Sequence, residues 1–152
     1  MQVFVVYDTK YGNTKIVAEK IIEGLKESGV ETAISYVKDV PLQKLVDYDA
    51  LVIGAPNHMG KPSRTITKFI DELPRLGLKA RWVAVFDTYF AKKKNFEKAM
   101  KQMEKRVGEK LPGVMLISPG LSIMVNGVNG PIAEDELPKC IDFGKTLASQ
   151  LK

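Results

Sequence analysis

Cysteine and histidine are rare in this sequence. Its 152 residues contain one of each, Cys140 and His58. A single cysteine excludes an internal disulfide and any metal site built from several thiolates. His58 has no second acid or base at a defined spacing beside it, so a proton-transfer pair is not expected there. We predict no metal site and no catalytic residue, and a structural role for Cys140 in the core.

Long hydrophobic runs are also absent. No apolar stretch approaches the ~20 residues of a membrane span, and the N-terminus enters a strand-like segment without a signal-like core. With 45% hydrophobic and 27% charged residues, the composition is that of a globular protein. We therefore expect one domain over residues 1–152, located in the cytoplasm and not bound to membranes.

The chain alternates between strand and helix patterns. Continuous apolar runs predict parallel strands buried on both faces. Helical periodicity predicts a helix from about residue 14, a second after Ser63 as N-cap, a third over about 93–107 with Phe96 on its buried face, and a last over about 134–151. The segment 40–45 is at most one turn of helix. The predicted strands are 3–7, 32–37, 50–55, 82–86 and 114–118, with 121–125 as a candidate continuation of the last.

The loop after the first strand carries the most information. Thr9-Lys10-Tyr11-Gly12-Asn13-Thr14 contains neither the G-x-x-x-x-G-K-[ST] nor the G-x-G-x-x-G nucleotide motif. It is a short, hydroxyl-rich loop between a buried strand and a helix start, where free N–H groups and the helix dipole favour an anion. The loop therefore predicts a site for a single terminal phosphate. The alternative is an ordinary strand-to-helix turn with Thr14 as a helix cap.

These residues resemble the phosphate loop of the flavodoxins, which reads roughly [ST]-x-[ST]-G-x-T. Thr9, Gly12 and Thr14 match that pattern, whereas Tyr11 replaces a hydroxyl residue, as in the similar flavodoxin domains of diiron flavoproteins. The resemblance implies an α/β, flavodoxin-like, doubly wound three-layer sandwich with a five-stranded parallel sheet in the order 2-1-3-4-5. It also implies noncovalent FMN, with its phosphate held by residues 9–14.

In such a fold the ligand lies at the carboxyl ends of strands one, three and four. The resemblance makes Tyr89 the first candidate for stacking on the flavin and Phe90 the second, with His58 and Met59 on the other face. It also suggests that the peptide at Gly60 reorients on one-electron reduction, and that a nearby Asp87 lowers a reduction potential. The two segments expected to hold the ring are Pro56, Asn57, His58, Met59 and Gly60, and Thr88, Tyr89, Phe90 and Ala91.

The resemblance implies an electron-transfer protein that shuttles electrons between redox enzymes. An FMN-dependent NAD(P)H:quinone or flavin reductase is the alternative, and a flavin-free flavodoxin-like binding module is a third. The absence of an aspartate at the end of strand three argues against a phosphoacceptor receiver domain.

The charge balance predicts the kind of partner. The net charge is +5, and lysines 94, 98, 101 and 105 follow one another along the third helix. This favours acidic redox partners such as a ferredoxin-like protein, although a solvated helix face also explains the lysines. No recognition motif supports nucleic-acid binding. We expect a monomer or a weak homodimer.

Overall fold

The computed structural model describes residues 1–90 and 93–151. Its strands and helices alternate as the sequence predicts, and short 3-10 turns lie at Val37–Asp39, Leu73–Leu76, Lys93–Asn95 and Glu134–Glu136. The strands are β1 (Gln2–Tyr7), β2 (Glu31–Tyr36), β3 (Ala50–His58), β4 (Lys61–Pro62), β5 (Trp82–Phe90), β6 (Met115–Leu116) and β7 (Leu121–Val125). The helices are α1 (Asn13–Glu27), α2 (Leu42–Leu45), α3 (Arg64–Glu72), α4 (Lys98–Lys110) and α5 (Leu137–Gln150).

The strand order confirms the predicted doubly wound sheet. Parallel strands run in the order β2-β1-β3-β5-β6, and β7 also pairs in parallel with β5. The fifth predicted strand is therefore split: β6 lies beside the start of β5, and β7 lies beside its end. The interruption falls at residues 117–120, where the sequence has Ser118-Pro119-Gly120.

Helices cover both faces of the sheet. Helices α1 and α5 pack on one face, over a core that includes Val5, Ile21 and Leu147. Helices α3 and α4 pack on the other, over a core that includes Ile53 and Met103. Among the described residues, no helix combines the length and apolar character needed to cross a bilayer.

Two central strands run further than the apolar runs predict. β3 continues past residue 55 to His58, and β5 continues past residue 86 to Phe90. The sequence reasoning also missed a β-hairpin: β3 turns back through Met59 and Gly60 into β4, with His58 opposite Lys61. Both turn residues have positive φ, 54° and 91°, as in a two-residue hairpin turn. The two segments predicted to hold the ring are therefore largely strand.

Helix starts also differ from the predictions. The third helix begins at Lys98 instead of about residue 93, and Phe96 precedes it with 46% of its surface exposed. Ser63 does occupy the N-cap position of α3, but its hydroxyl makes no capping hydrogen bond. The last α-helix begins at Leu137, after the 3-10 turn over Glu134–Glu136.

Candidate functional site

A cavity of about 440 Å³ opens at the carboxyl ends of β1, β3 and β5. This is the topological switch point of the sheet, where ligands of doubly wound folds bind. The cavity brings together most of the predicted site residues, namely Thr9, Lys10, Tyr11, Asn13, Thr14, Pro56, Asn57, His58, Met59, Thr88 and Phe90. It is also lined by three residues that the sequence reasoning did not select, Asn95, Val125 and Val128.

The polar end of the cavity is the 9–14 loop. Gly12 forms the turn behind it, with φ 91°, and its N–H donates to Thr9 Oγ1 at 2.9 Å. The first intrahelical bond of α1 runs from the N–H of Ile16 to the carbonyl of Gly12, at 3.1 Å. Within residues 1–90 and 93–151, the N–H groups at positions 13–15 have no backbone acceptor. An anion could accept from them.

Thr14 is not the helix cap. The N-cap position of α1 belongs to Gly12, which cannot cap through a side chain. Thr14 is 2% exposed, and its Oγ1 lies 2.9 Å from the hydroxyl of Thr88 on β5. The pair joins the loop after β1 to the end of β5, so the structure argues against the simple-cap alternative.

The other end of the cavity is apolar and open to solvent. Phe90, Met59 and Val128 line it with 40%, 94% and 57% of their surfaces exposed. Large apolar side chains with this exposure form a slot for a flat, poorly solvated group.

Tyr89, the first stacking candidate predicted from the sequence, does not line this slot, whereas Phe90, the second candidate, does. Tyr89 is 7% exposed, and its ring packs edge-on against Phe96 with centroids 5.5 Å apart. Because β5 is still a strand here, consecutive side chains alternate between its faces. Thr88 and Phe90 face the cavity, and Tyr89 faces the interior. Burial, followed by the negative charges of Glu136 and Asp87, raises the pKa of the Tyr89 hydroxyl.

Gly60 lies in the hairpin turn and does not line the cavity. Its N–H donates to Asn57 Oδ1, and its carbonyl accepts from Gln102 Nε2 of α4, each at 2.7 Å. The predicted reorientation of this peptide stays a prediction, and it would have to break one of these bonds. Ala91, the last predicted ring residue, lies outside the described residues.

Asp87 is buried beneath the cavity and does not line it. Its side chain has no exposed surface. The carboxylate accepts from Ser122 Oγ, from the N–H of Met100 at 2.9 Å and from Asn57 Nδ2 at 3.3 Å. Burial raises its pKa to about 6 against the opposing effect of these donors. The predicted effect of this carboxylate on a reduction potential stays a prediction.

One wall of the cavity comes from the loop between β7 and α5. The N–H of Asn126 donates to the carbonyl of Pro131, and Val125 bridges to Ile132. This closes the loop and presents Val128 to the cavity. Gly130 packs against the Asn13 side chain so closely that a Cβ there would lie 2.5 Å from Asn13 Oδ1. A single valine among Asn and Gly residues carries no periodic signal, so the sequence pattern does not reveal this wall of the cavity.

Within the part of the chain that the structure describes, no group of three or more His, Cys, Asp or Glu residues could hold a metal ion. Cys140 is buried, and burial raises the pKa of its thiol to about 12. A thiol of such high pKa is a poor nucleophile at neutral pH.

Comparison with known proteins identifies the family. A family model described as a flavodoxin domain matches residues 4–123, which is most of the chain. The chain belongs to the flavodoxin family. Its likeness extends to the solved structure of an archaeal flavodoxin, at 25% identity and a TM-score of 0.83 over 99% of both chains. The flavodiiron protein of Giardia intestinalis matches in fold, with a TM-score of 0.80 over 99% of this chain and 36% of that one.

Relatives of similar sequence include a flavodoxin and an NAD(P)H dehydrogenase (quinone). This chain is 34% identical to a flavodoxin of Aquifex aeolicus over 73 residues, 47% of this chain and 40% of that protein. It is 30% identical to an NAD(P)H dehydrogenase (quinone) of Caulobacter vibrioides over 90 residues, 46% of this chain and 45% of that protein. The matches thus span less than half the length of these relatives.

Proposed function

We propose that this protein binds FMN noncovalently and carries electrons between redox enzymes. One observation supports this most strongly: the hydroxyl-rich loop and the exposed apolar slot open into one cavity at the switch point of the sheet. The loop suits a phosphate, and the slot in the same cavity suits a flat ring. Membership of the flavodoxin family supports the same ligand.

The residues present fit this cofactor. The N–H groups at the start of α1, with the hydroxyls of Thr9 and Thr14, would hold the phosphate. Met59 and His58 would lie on one side of the ring and Phe90 on the other. When bound, FMN supplies reversible uptake of one or two electrons.

The exposure of the slot favours a carrier over an enzyme. Met59 and Phe90 stand at the cavity mouth, where a partner protein could approach to within contact distance. His58 is exposed and makes no side-chain hydrogen bond within the described residues. A reductase also needs a place for the nicotinamide and the quinone. The likeness to an NAD(P)H dehydrogenase (quinone) keeps that activity as the second candidate, and a flavin-free binding module is the third.

The deciding experiment is the visible spectrum of the protein after incubation with FMN and desalting. We expect one FMN retained per chain, with absorption bands shifted from those of free FMN. A colourless protein would rule out both FMN functions and leave the binding module.

Turnover then separates carrier from reductase. The FMN-loaded protein is mixed with NADH or NADPH and a quinone, and the loss of nicotinamide absorption is followed. A carrier should oxidise either cofactor no faster than free FMN does. Rapid, saturable oxidation would overturn the carrier assignment in favour of the reductase.

The location and assembly of the protein stay predictions. A cytoplasmic carrier that is a monomer or a weak homodimer should elute near 17 kDa at low concentration. Sedimentation over a range of concentrations would reveal a tighter dimer.

A further inference from the structure

Asn57 connects three segments around the mouth of the cavity. Its Oδ1 accepts from the N–H of Gly60, at the tip of the β3–β4 hairpin. Its Nδ2 donates to the carbonyl of Asn95 at 2.8 Å and to Asp87 at 3.3 Å. Asn57 itself lines the cavity. This amide therefore helps to hold the hairpin tip, together with Gln102 Nε2 of α4, which donates to the carbonyl of Gly60.

Asp87 holds that amide from below and also organises the start of α4. The N-cap of α4, Glu97, has φ 64° and makes no side-chain capping bond. Asp87 replaces the missing cap from the neighbouring strand, because its carboxylate accepts the N–H of Met100 in the first turn. Ser122, which donates to Asp87, accepts in turn from the N–H of Glu97 at 3.0 Å. The carboxylate thus joins β3, β7 and α4.

We propose that Asp87 is a positioning residue that fixes the Met59–Gly60 turn through Asn57, and that protonation of Asp87 loosens this turn. Each link is a hydrogen bond in the structure: Asn57 Nδ2 donates to Asp87, and the N–H of Gly60 donates to Asn57 Oδ1. The turn forms part of the cavity mouth through Met59. A change in the charge state of one buried group would thereby alter the shape of the site.

The groups around Asp87 support a titration of its carboxyl within the pH range in which the folded protein can be studied. β3 presents Ala55 and Asn57 to it, and β7 presents Ser122. The turn before α4 presents the Glu97 carboxylate, which adds to the effect of burial on the pKa of Asp87. Two further titratable side chains lie nearby: Tyr89, whose own pKa is raised, and His58, which lies opposite Lys61 in the hairpin.

The hydrogen bonds explain why protonation would act on Asn57. An ionised carboxylate is a stronger acceptor than a neutral acid. A proton on Oδ1 can be directed at Ser122 Oγ, which lies next to that oxygen. Oδ2 then remains as a weaker acceptor shared by Met100 and Asn57. The longer of these two bonds, to Asn57, is the one expected to loosen.

The test is a pH titration of the amide resonance of Gly60 by ¹H–¹⁵N NMR, in protein free of flavin. We expect this resonance to shift with a midpoint near pH 6 in the unaltered protein. In Asp87→Asn the shift should disappear, and its Gly60 resonance at pH 8 should lie near that of the unaltered protein at pH 5. Asp142→Asn, which removes an exposed carboxylate from α5, is the control and should retain the titration. The series is recorded in a His58→Gln background, so that the imidazole beside the turn cannot contribute to the shift. A Gly60 resonance that does not move between pH 5 and 8, or that still titrates in Asp87→Asn, would overturn the proposal.

A second variant keeps the test decisive if Asp87→Asn does not fold. Ser122→Ala removes a donor that lowers the pKa of Asp87, so the midpoint of the Gly60 titration should move to higher pH. An unchanged midpoint in Ser122→Ala would show that the titrating group is not Asp87.

The consequence for cofactor binding rests on the proposed function. If FMN binds as proposed, its dissociation constant should increase several-fold between pH 7.5 and 5.5 in the unaltered protein, and less in Asp87→Asn. Failure to bind FMN at any pH would contradict the proposed function alone, because the Gly60 titration needs no flavin. Binding with the same pH dependence in both proteins would contradict the role of Asp87.

Discussion

At the scale of single residues, Thr14 carries the most direct test of the phosphate assignment. Its hydroxyl is buried between the start of α1 and Thr88, and it lines the polar end of the cavity. Thr14→Ala removes one donor to the phosphate, and a hydrogen bond to a charged group contributes about 1.5–3 kcal/mol. We expect FMN affinity to fall at least tenfold, measured by quenching of flavin fluorescence.

Thr146→Ala is the matched control for Thr14→Ala. Thr146 is an exposed threonine on α5, so the change should leave FMN affinity as it is. If Thr14→Ala also left the affinity unchanged, the phosphate would have to be held elsewhere.

Phe90 and Tyr89 form a pair of neighbours with opposite expected roles. Phe90 lines the apolar slot, whereas Tyr89 is buried against Phe96. Phe90→Ala should weaken FMN binding and shift the visible bands of the bound flavin, because an aromatic contact is lost. Tyr89→Leu removes the neighbouring ring and should leave both nearly as they are, because that ring packs on Phe96 and does not line the cavity. A larger effect from Tyr89→Leu than from Phe90→Ala would restore Tyr89 as the stacking residue.

The buried carboxyl of Asp87 predicts a pH dependence of stability. Its pKa is raised from 3.8 to about 6 in the folded protein, so the folded state holds the proton over a range where the unfolded chain loses it. The destabilisation is absent below pH 4 and complete above pH 6. Relative to Asp87→Asn, the unaltered protein should lose up to about 3 kcal/mol of unfolding free energy between pH 4 and 7.

Urea unfolding of both proteins at several pH values measures this difference. The unfolding free energy of the unaltered protein minus that of Asp87→Asn should fall as pH rises. A difference that stays constant, or that increases with pH, would contradict the raised pKa.

At the scale of elements, the sequence predicts which segments are strand or helix better than where they end. The apolar runs 50–55 and 82–86 stop at Pro56 and Asp87, residues that usually end a strand. β5 nevertheless continues, because Asp87 is satisfied by donors from β3, β7 and α4, and β3 continues beside it with Pro56 opposite Thr88. Those donors are distant in sequence, so a local pattern cannot reveal them. The same extension explains why Phe90 lines the cavity and Tyr89 does not.

The close packing of helix α1 against helix α5 can be tested at the glycines where the two helices meet. A Cβ at Gly144 would lie less than 3.0 Å from the carbonyl oxygen of Ile21. A Cβ at Gly24 would lie equally close to the carbonyl oxygen of Ile141. Gly144→Ala should therefore push the helices apart and cost about 1–3 kcal/mol of unfolding free energy.

Gly108→Ala on α4 is the matched control for the helix contact. A Cβ there meets nothing within 4 Å, so alanine should stabilise the helix by about 0.5–1 kcal/mol. If chemical denaturation shows that Gly144→Ala lowers the unfolding free energy and Gly108→Ala raises it, the close contact is supported. If both substitutions change the unfolding free energy in the same direction, the helices adjust without cost.

At the scale of the whole molecule, part of the positive charge behind the net +5 lies where a partner would reach the cavity. Lysines 94, 98, 101 and 105 are exposed along the segment that begins α4. The side chain of Lys98 lies beside the hairpin tip, with its Cδ 3.2 Å from where a Cβ on Gly60 would be. Lys10 and Lys61 are exposed at the same rim. This arrangement would draw an acidic redox partner to the exposed slot.

Charge reversal at the rim tests this arrangement. The double variant Lys94→Glu/Lys98→Glu should lower the rate of electron transfer from an acidic ferredoxin by about tenfold at low ionic strength. Lys26→Glu/Lys44→Glu changes the net charge equally but lies on segments that lead into the starts of β2 and β3, at the opposite edge of the sheet. It should slow the reaction far less. Stopped-flow measurements should show the two rates converging at high salt, because screening removes the steering. Equal slowing by both variants would mean that net charge, and not the basic rim, governs the encounter.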